Sequence, residues 1–278
     1  MAEITAADVK SLRDKTGLPM MECKKALKEA AGDPEKAIEL LRRAGAKTAA
    51  KQAGRATAAG RIAVYTNPAT RAGAIVELRC ETAPVANNEE FVALAGDLAR
   101  QLGTGPGAEK PEDLLSQTSP SQGGITLKEQ WDELYNRIRE NFKFERLARL
   151  EGTCAGYAHH NGAAGVILQY EGDQPELARD ICMHIVAMRP EVVGQEDLDP
   201  ALVEKEREIL SEAARAEGKP EKIIAKMVEG RLRNFFAERC LLEQPFVKAE
   251  DGKTPVGKIA KQAGLKILRF VHWELAKE

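Results

Sequence analysis

Apolar positions in the first 45 residues recur at helical spacing and are interrupted by turn residues. Thr5 is placed to N-cap a first helix, with Asp8 at its third position and Ile4 and Val9 set for a hydrophobic staple. Gly17 ends that helix, because the residue past a helix end commonly needs positive φ. Pro19 suits the first turn of a second helix, where a missing N–H costs nothing. Met20 and Met21 stand at the corner between them. Methionine fills gaps in cores and also makes adaptable contact surfaces, and both readings fit this pair. Asp33 and Pro34 open a third helix, with Ala37, Ile38 and Leu41 as its stripe, running to Gly45. Residues 1–45 therefore predict a minimal three-helix bundle. Residues 46–60 are rich in Ala and Gly and predict a basic linker, in which Lys47, Lys51 and Arg55 would share one helical face.

After residue 60 the period changes. Ile62 to Tyr65 and Ile75 to Cys80 read as two strands around an Asn67-Pro68 turn. Val76, Leu78 and Cys80 alternate with Glu77, Arg79 and Glu81, the pattern of a half-buried strand. A helix follows, with Asn87 as N-cap, Glu90 at N3, and Phe91, Leu94, Ala95, Leu98 and Leu102 inward. The same order returns near residues 153–188. Gly156 to His159 and Gly165 to Tyr170 flank Asn161-Gly162, a strong hairpin pair, and Asp173 and Pro175 open a helix through Ala187. Between the repeats, residues 103–125 predict a loose Gly-, Pro- and Ser-rich loop, and Thr126 with Glu129 caps a helix carrying Trp131, Leu134, Tyr135 and Ile138.

Asp199-Pro200 starts a helix to about Ala216, Gly218-Lys219-Pro220 turns the chain, and a second helix runs from Glu221 to about Leu242. Ile223, Met227, Val228 and Phe235 supply the seam of this antiparallel pair, and Lys266 to Trp273 form a last strand. The expected architecture is α+β: the bundle, then a duplicated hairpin-plus-helix core with an inserted antiparallel helical hairpin. Its core subdomains are residues 61–150 and 151–278, the second holding the helical hairpin at about 199–242.

Composition narrows the class. With 278 residues, 43% hydrophobic and 30% charged, the chain has ample core. A net charge of −2 gives no global drive toward nucleic acid or an anionic membrane. No apolar run nears the roughly 20 residues that cross a bilayer, and no signal-peptide apolar stretch opens the chain. Cys23, Cys80, Cys154, Cys182 and Cys240 are odd in number and scattered. They predict reduced thiols in a cytoplasmic protein, without a disulfide framework or a zinc site, and no cofactor or metal is expected.

Catalytic chemistry is hard to assemble from this chain. No GxxxxGK[ST] loop exists, and Gly103-Thr104-Gly105-Pro106-Gly107 lacks the lysine and the context of a phosphate cradle, so it reads as flexible loop. His159 and His160 would point to opposite faces of a strand and cannot readily share an ion. A thiol–imidazole enzyme on Cys182 and His184, or near His159, remains as one rival reading. RNA binding through Lys47, Lys51 and Arg55 remains as another.

Blocks spread along the chain resemble one family. VKSLRDKTGLPMMECKKAL, YAHHNGAAGVIL, DICMHIVAMRP, GKPEKIIAKMVEGRLRNFF and QPFVK follow the order of bacterial elongation factor Ts, the guanine-nucleotide exchange factor for elongation factor Tu. The resemblance implies a ubiquitin-associated-like fold for the bundle. It also implies a non-enzymatic cytoplasmic function: association with GDP-bound and nucleotide-free elongation factor Tu, with no direct nucleic acid or membrane partner. The family's partner-facing positions fall on Arg13, Met20, Met21 and His159. One departure stands out. Where the family carries Thr-Asp-Phe-Val, whose Asp and Phe disturb the partner's Mg²⁺ site, this chain has Thr82-Ala83-Pro84-Val85. Ala83 supplies no carboxylate and Pro84 no aromatic wedge, but Pro84 is a stiff apolar knob placed before a helix. Retained docking at Thr82–Val85 is the favoured expectation, with Mg²⁺ displacement by the same stretch as what the resemblance implies and a plain strand-to-helix connector as the other reading. A partner that binds elongation factor Tu without exchanging its nucleotide is the alternative.

Overall fold

A computed structural model describes residues 4–69, 71–218 and 220–275. The N-terminal helices are α1 (Ala6–Thr16), α2 (Met20–Glu29) and α3 (Pro34–Gln52). Thr5 and Asp8 form the expected reciprocal cap, and Gly17 closes α1 at φ 68°. Pro19 is the N-cap of α2 rather than its first helical residue, because its ψ of 139° is extended. Val9, Leu12, Leu18, Cys23, Ala26, Leu27, Ala37 and Leu41 fill the bundle core. The first part of the predicted linker is helix, since α3 continues past Gly45 for two further turns to Gln52. Gly45 is kept small by the Asn136 side chain: a Cβ there would lie 1.5 Å from its Oδ1.

Next come β1 (Ala59–Asn67), β2 (Ala72–Cys80), the single turn α4 (Ala83–Ala86), α5 (Glu89–Thr104), α6 (Pro111–Leu115), α7 (Leu127–Ile138) and β3 (Lys143–Glu151). The second unit holds β4 (Cys154–Ala158), β5 (Ala164–Glu171), α8 (Pro175–Met188), α9 (Pro200–Ala216), α10 (Glu221–Arg239), α11 (Val256–Gln262) and β6 (Lys266–Glu274). Each unit makes a three-stranded antiparallel sheet, β1-β2-β3 and β4-β5-β6. The duplication extends to detail, for the third strand of each sheet carries a register shift against the central strand, at Glu77/Leu78 and at Gln169/Tyr170.

Helices cover one face of each sheet. The α5 stripe of Phe91, Leu94, Ala95, Leu98 and Leu102 packs with Ala74, Val76, Leu78 and Cys80, and α8 sets Ile181 and Ile185 with Val166 and Leu168. The other two faces meet, and Ile62, Ile75, Leu150 and Ile167 form a core between the sheets. Glu77 is therefore fully buried, not on a solvated strand face as its alternation suggested. Its carboxylate accepts from Arg79 Nε at 2.7 Å and Arg146 Nε at 2.6 Å, and Arg146 lies 4.6 Å over the Trp273 ring of the second sheet.

Several further expectations are corrected. Asn88, not Asn87, caps α5, because Asn87 closes α4. Gly103 and Thr104 belong to α5, where Gly103 is buried against Tyr65. The 103–125 segment is anchored rather than loose: Leu114 is buried, Gln117 Nε2 donates to the Gly107 carbonyl at 2.8 Å, and Thr118 bridges Thr126. In the helical arm α10 ends at Arg239, and its seam is Ile224, Val228, Leu232 and Phe235, while Ile223 is exposed. Lys219, in the expected turn of that arm, lies outside the described residues.

Candidate partner-binding surface

The α1–α2 corner presents its methionines outward. Leu18 turns into the bundle core, and the αL conformation of Gly17 and extended Pro19 leave Met20 43% and Met21 74% exposed. Arg13, in the last turn of α1, is exposed beside them in sequence. Two adjacent exposed methionines above a filled core favour the contact reading over the gap-filling one.

The Thr82–Val85 stretch is a helical turn with a fixed footing, not an open loop. Thr82 precedes it, its backbone N–H donating to Glu140 Oε2 at 3.0 Å and its hydroxyl to Glu140 Oε1 at 2.6 Å. Asn87 Nδ2 donates to the Ala83 carbonyl at 3.0 Å, closing the far end. Val85 packs against the first core and Ala86 is buried, whereas Ala83 and Pro84 face solvent. Pro84 is thus a rigid apolar knob on a turn gripped from below.

His159 sits past the end of β4, in the hairpin tip. Gly162, at φ 71°, turns the tip, and Asn161 Oδ1 accepts from Ala163 N at 2.9 Å. The same oxygen lies 2.7 Å from His159 Nδ1, so Nδ1–H donates to it, which in a neutral ring leaves Nε2 as the acceptor. The His159 and His160 rings lie 4.3 Å apart, side by side, because the tip is not extended strand. This corrects the expected opposite-face placement. Among the described residues no group of three His, Cys, Asp or Glu side chains is set to hold a metal ion. His159 borders a groove of about 520 Å³, also lined by Met183, Val186, Arg189 and Glu274. The groove was not foreseen, because its walls come from α8 and β6, far apart in sequence.

These places are tied together by an ion pair and a set of hydrogen bonds. Glu22, next to Met21, pairs with Arg139, and the adjacent Glu140 holds Thr82. Arg61 on β1 then donates to the carbonyls of Ala86 and His160, each at 3.3 Å.

The rival sites do not form. Cys182 and His184 are both fully buried in α8. Burial raises the Cys182 thiol well above its ordinary value, disfavouring the thiolate. Both His184 nitrogens are occupied, by Gln244 Oε1 at 2.9 Å and the Val247 N–H at 3.3 Å. Lys47 and Lys51 lie on α3, but Arg55 is beyond its end and pairs with Glu81 at 3.5 Å, so the cationic stripe is cut short. Among the described residues no helix is long and apolar enough to cross a membrane.

Comparison with known proteins gives one answer. The family model described as Elongation factor TS matches residues 81–277. An elongation factor Ts of Thioalkalivibrio sulfidiphilus is 44% identical over 278 residues, covering 99% of this chain and 92% of the relative. That of Aquifex aeolicus is 42% identical over 289 residues, covering 98% of each. That of Rhodospirillum centenum is 44% identical over 299 residues, covering 100% of this chain and 94% of the relative.

Proposed function

The chain belongs to the elongation factor Ts family, and from that membership we propose how its surface drives exchange. Its function is that of a nucleotide-exchange factor for elongation factor Tu, and it is not an enzyme. Such exchange is a coupling problem. A protein that weakens GDP binding by some factor is itself weakened by GDP by the same factor. Each tenfold takes about 1.4 kcal/mol, so several decades of acceleration call for contact at several separate points.

In this reading the points are Arg13 with Met20 and Met21, the Thr82–Val85 turn, and His159 at the hairpin tip. Met20 and Met21 adapt to an apolar patch on the partner's nucleotide-binding domain. Pro84 and Val85 intrude beside the Mg²⁺ site and loosen the phosphate end of GDP, with stiffness and shape replacing the carboxylate and ring of the family pattern. His159 Nε2 accepts a hydrogen bond from a more distant part of the partner. The chain engages both the GDP-bound and the nucleotide-free partner, in the cytoplasm, without direct contact to nucleic acid or membrane. The N-terminal bundle is of the ubiquitin-associated type. Residues 61–150 and 151–278 are the two core subdomains.

The observation that carries this reading is that three short, exposed elements from separate parts of the chain are linked: Arg61 joins the turn and the hairpin tip, Glu140 grips Thr82, and its neighbour Arg139 pairs with Glu22 beside the methionines. Equilibrium titration tests it. The chain should bind nucleotide-free elongation factor Tu at least about a hundredfold more tightly than the GDP-bound form, the differential that linkage demands of an exchange factor. Equal affinity for the two forms would leave the non-exchanging partner.

A further inference from the structure

We propose that Arg61 is a positioning residue for exchange, a clasp that makes the Thr82–Ala86 turn and the His159 hairpin tip act as one contact surface. This rests on the contact assignment above and adds a residue to which that assignment gives no role.

Two carbonyls need holding here. That of Ala86 ends a single helical turn and has no following turn to donate to it. That of His160 lies in a tip between two strands, outside their ladder. Arg61 serves both, through Nη1 to Ala86 and Nη2 to His160, each at 3.3 Å. Its planar fork presents separate donors in fixed directions, which a single lysine ammonium cannot imitate. The tip is moulded to the clasp. Ile62 N–H, from the next residue, donates to the Gly162 carbonyl at 2.8 Å. A Cβ on Gly162 would lie 2.6 Å from Arg61 Cγ, so glycine supplies both the positive φ and the close approach. The turn belongs to the first unit and the tip to the second. Arg61 is therefore a direct hydrogen-bonded joint, through the Ala86 and His160 carbonyls, between the turn that carries Pro84 and the tip that carries His159.

A clasp couples the turn and the tip energetically, which mere support of the fold does not. Sites joined by a shared partner couple energetically, whereas distant independent sites contribute additively. GDP release from elongation factor Tu is to be measured with the full chain and with Arg61→Ala, Arg61→Lys, Pro84→Gly, His159→Ala and their combinations. Thermal unfolding of each variant runs alongside.

Arg61→Ala should slow release about tenfold while remaining folded, and Arg61→Lys should slow it about threefold, since one carbonyl is left unheld. In the wild-type background the combined penalty of Pro84→Gly and His159→Ala should depart from the product of the separate penalties by about fivefold, and in the Arg61→Ala background it should equal that product. Wild-type release with Arg61→Ala, or coupling that persists without Arg61, overturns the clasp and leaves the contact assignment standing. If Pro84→Gly and His159→Ala each leave release unchanged, the contact assignment fails and the clasp falls with it. Should Arg61→Ala not fold, Arg61→Lys decides: a folded variant with the wild-type rate overturns the proposal.

Discussion

At the scale of single residues, environment overrides pattern where a second layer of structure arrives. Glu77 has the alternation of a solvent-facing position, yet it is fully buried because the second sheet covers that face of β2. Strand periodicity gives the two faces of a strand but not what packs on the second one. His184 is a similar case, legible as an apolar-helix residue but not as a pin between α8 and the 244–247 segment. Its burial holds the imidazole below the ordinary value of 6.5, partly offset by the Gln244 hydrogen bond. Above that value both folded and unfolded chains carry neutral imidazole, and stability is at its full level. As pH falls through it, the unfolded chain takes up a proton that the fold refuses, so stability declines until pH passes below the folded value. The thermal midpoint should therefore fall between about pH 7.5 and about pH 5, and the fall should be smaller in His184→Gln. A midpoint that is flat or rising over that window would contradict the pinned, neutral ring. Met20 and Met21 mark the limit in the other direction: the sequence allowed core or contact, and only their exposure separates the two.

At the scale of elements, caps and turns carried most of the legible information. Thr5, Asp33 and Thr126 cap the helices where local chemistry places them, and Gly17 closes α1 in αL. Gly17 also faces α7: an added Cβ would lie 2.6 Å from Arg137 Cδ, and Arg137 is held by Glu90 at 2.8 Å. Gly17→Ala should cost about 1–2 kcal/mol for the left-handed backbone alone, with a further penalty if Arg137 cannot move. Urea unfolding of the full chain measures this, and a variant as stable as wild type would mean that the corner tolerates another path. β3 escaped the sequence reading for a physical reason. Phe144, Leu147 and Leu150 are spaced by three, which mimics a helix, but Glu145 is an extra residue at the register shift opposite Glu77/Leu78. The shift brings Phe144 and Leu147 to the helix-covered face, while Leu150 points to the core between the sheets. A bulge of this kind breaks period two without leaving a turn residue to announce it. The linker misreading has the opposite origin. Ala-rich sequence is weakly marked as helix or loop, and packing against α7 carries α3 on to Gln52.

For the whole molecule, the duplicated hairpin and helix were visible, whereas the back-to-back meeting of the sheets was not. That meeting is made by Ile62, Ile75, Leu150 and Ile167, apolar residues with no individual signature. It nonetheless determines function in this account, because it brings a turn near residue 84 and a tip near residue 159 under one arginine. The candidate residues themselves came from resemblance and from the exposed chemistry of a Met pair and a hairpin histidine. Their mutual anchoring by Arg61, Arg139 and Glu140 required the fold. The central claim is that this joined surface expels GDP although Ala83 and Pro84 replace an acid and an aromatic ring. The most direct test is release of a fluorescent GDP from elongation factor Tu at fixed Mg²⁺, with and without the chain. Acceleration by at least about a hundredfold is predicted, equivalent to lowering the barrier to release by about 2.7 kcal/mol. Unchanged release, with the complex still visible by sedimentation, would contradict the account and leave a partner that docks without exchanging.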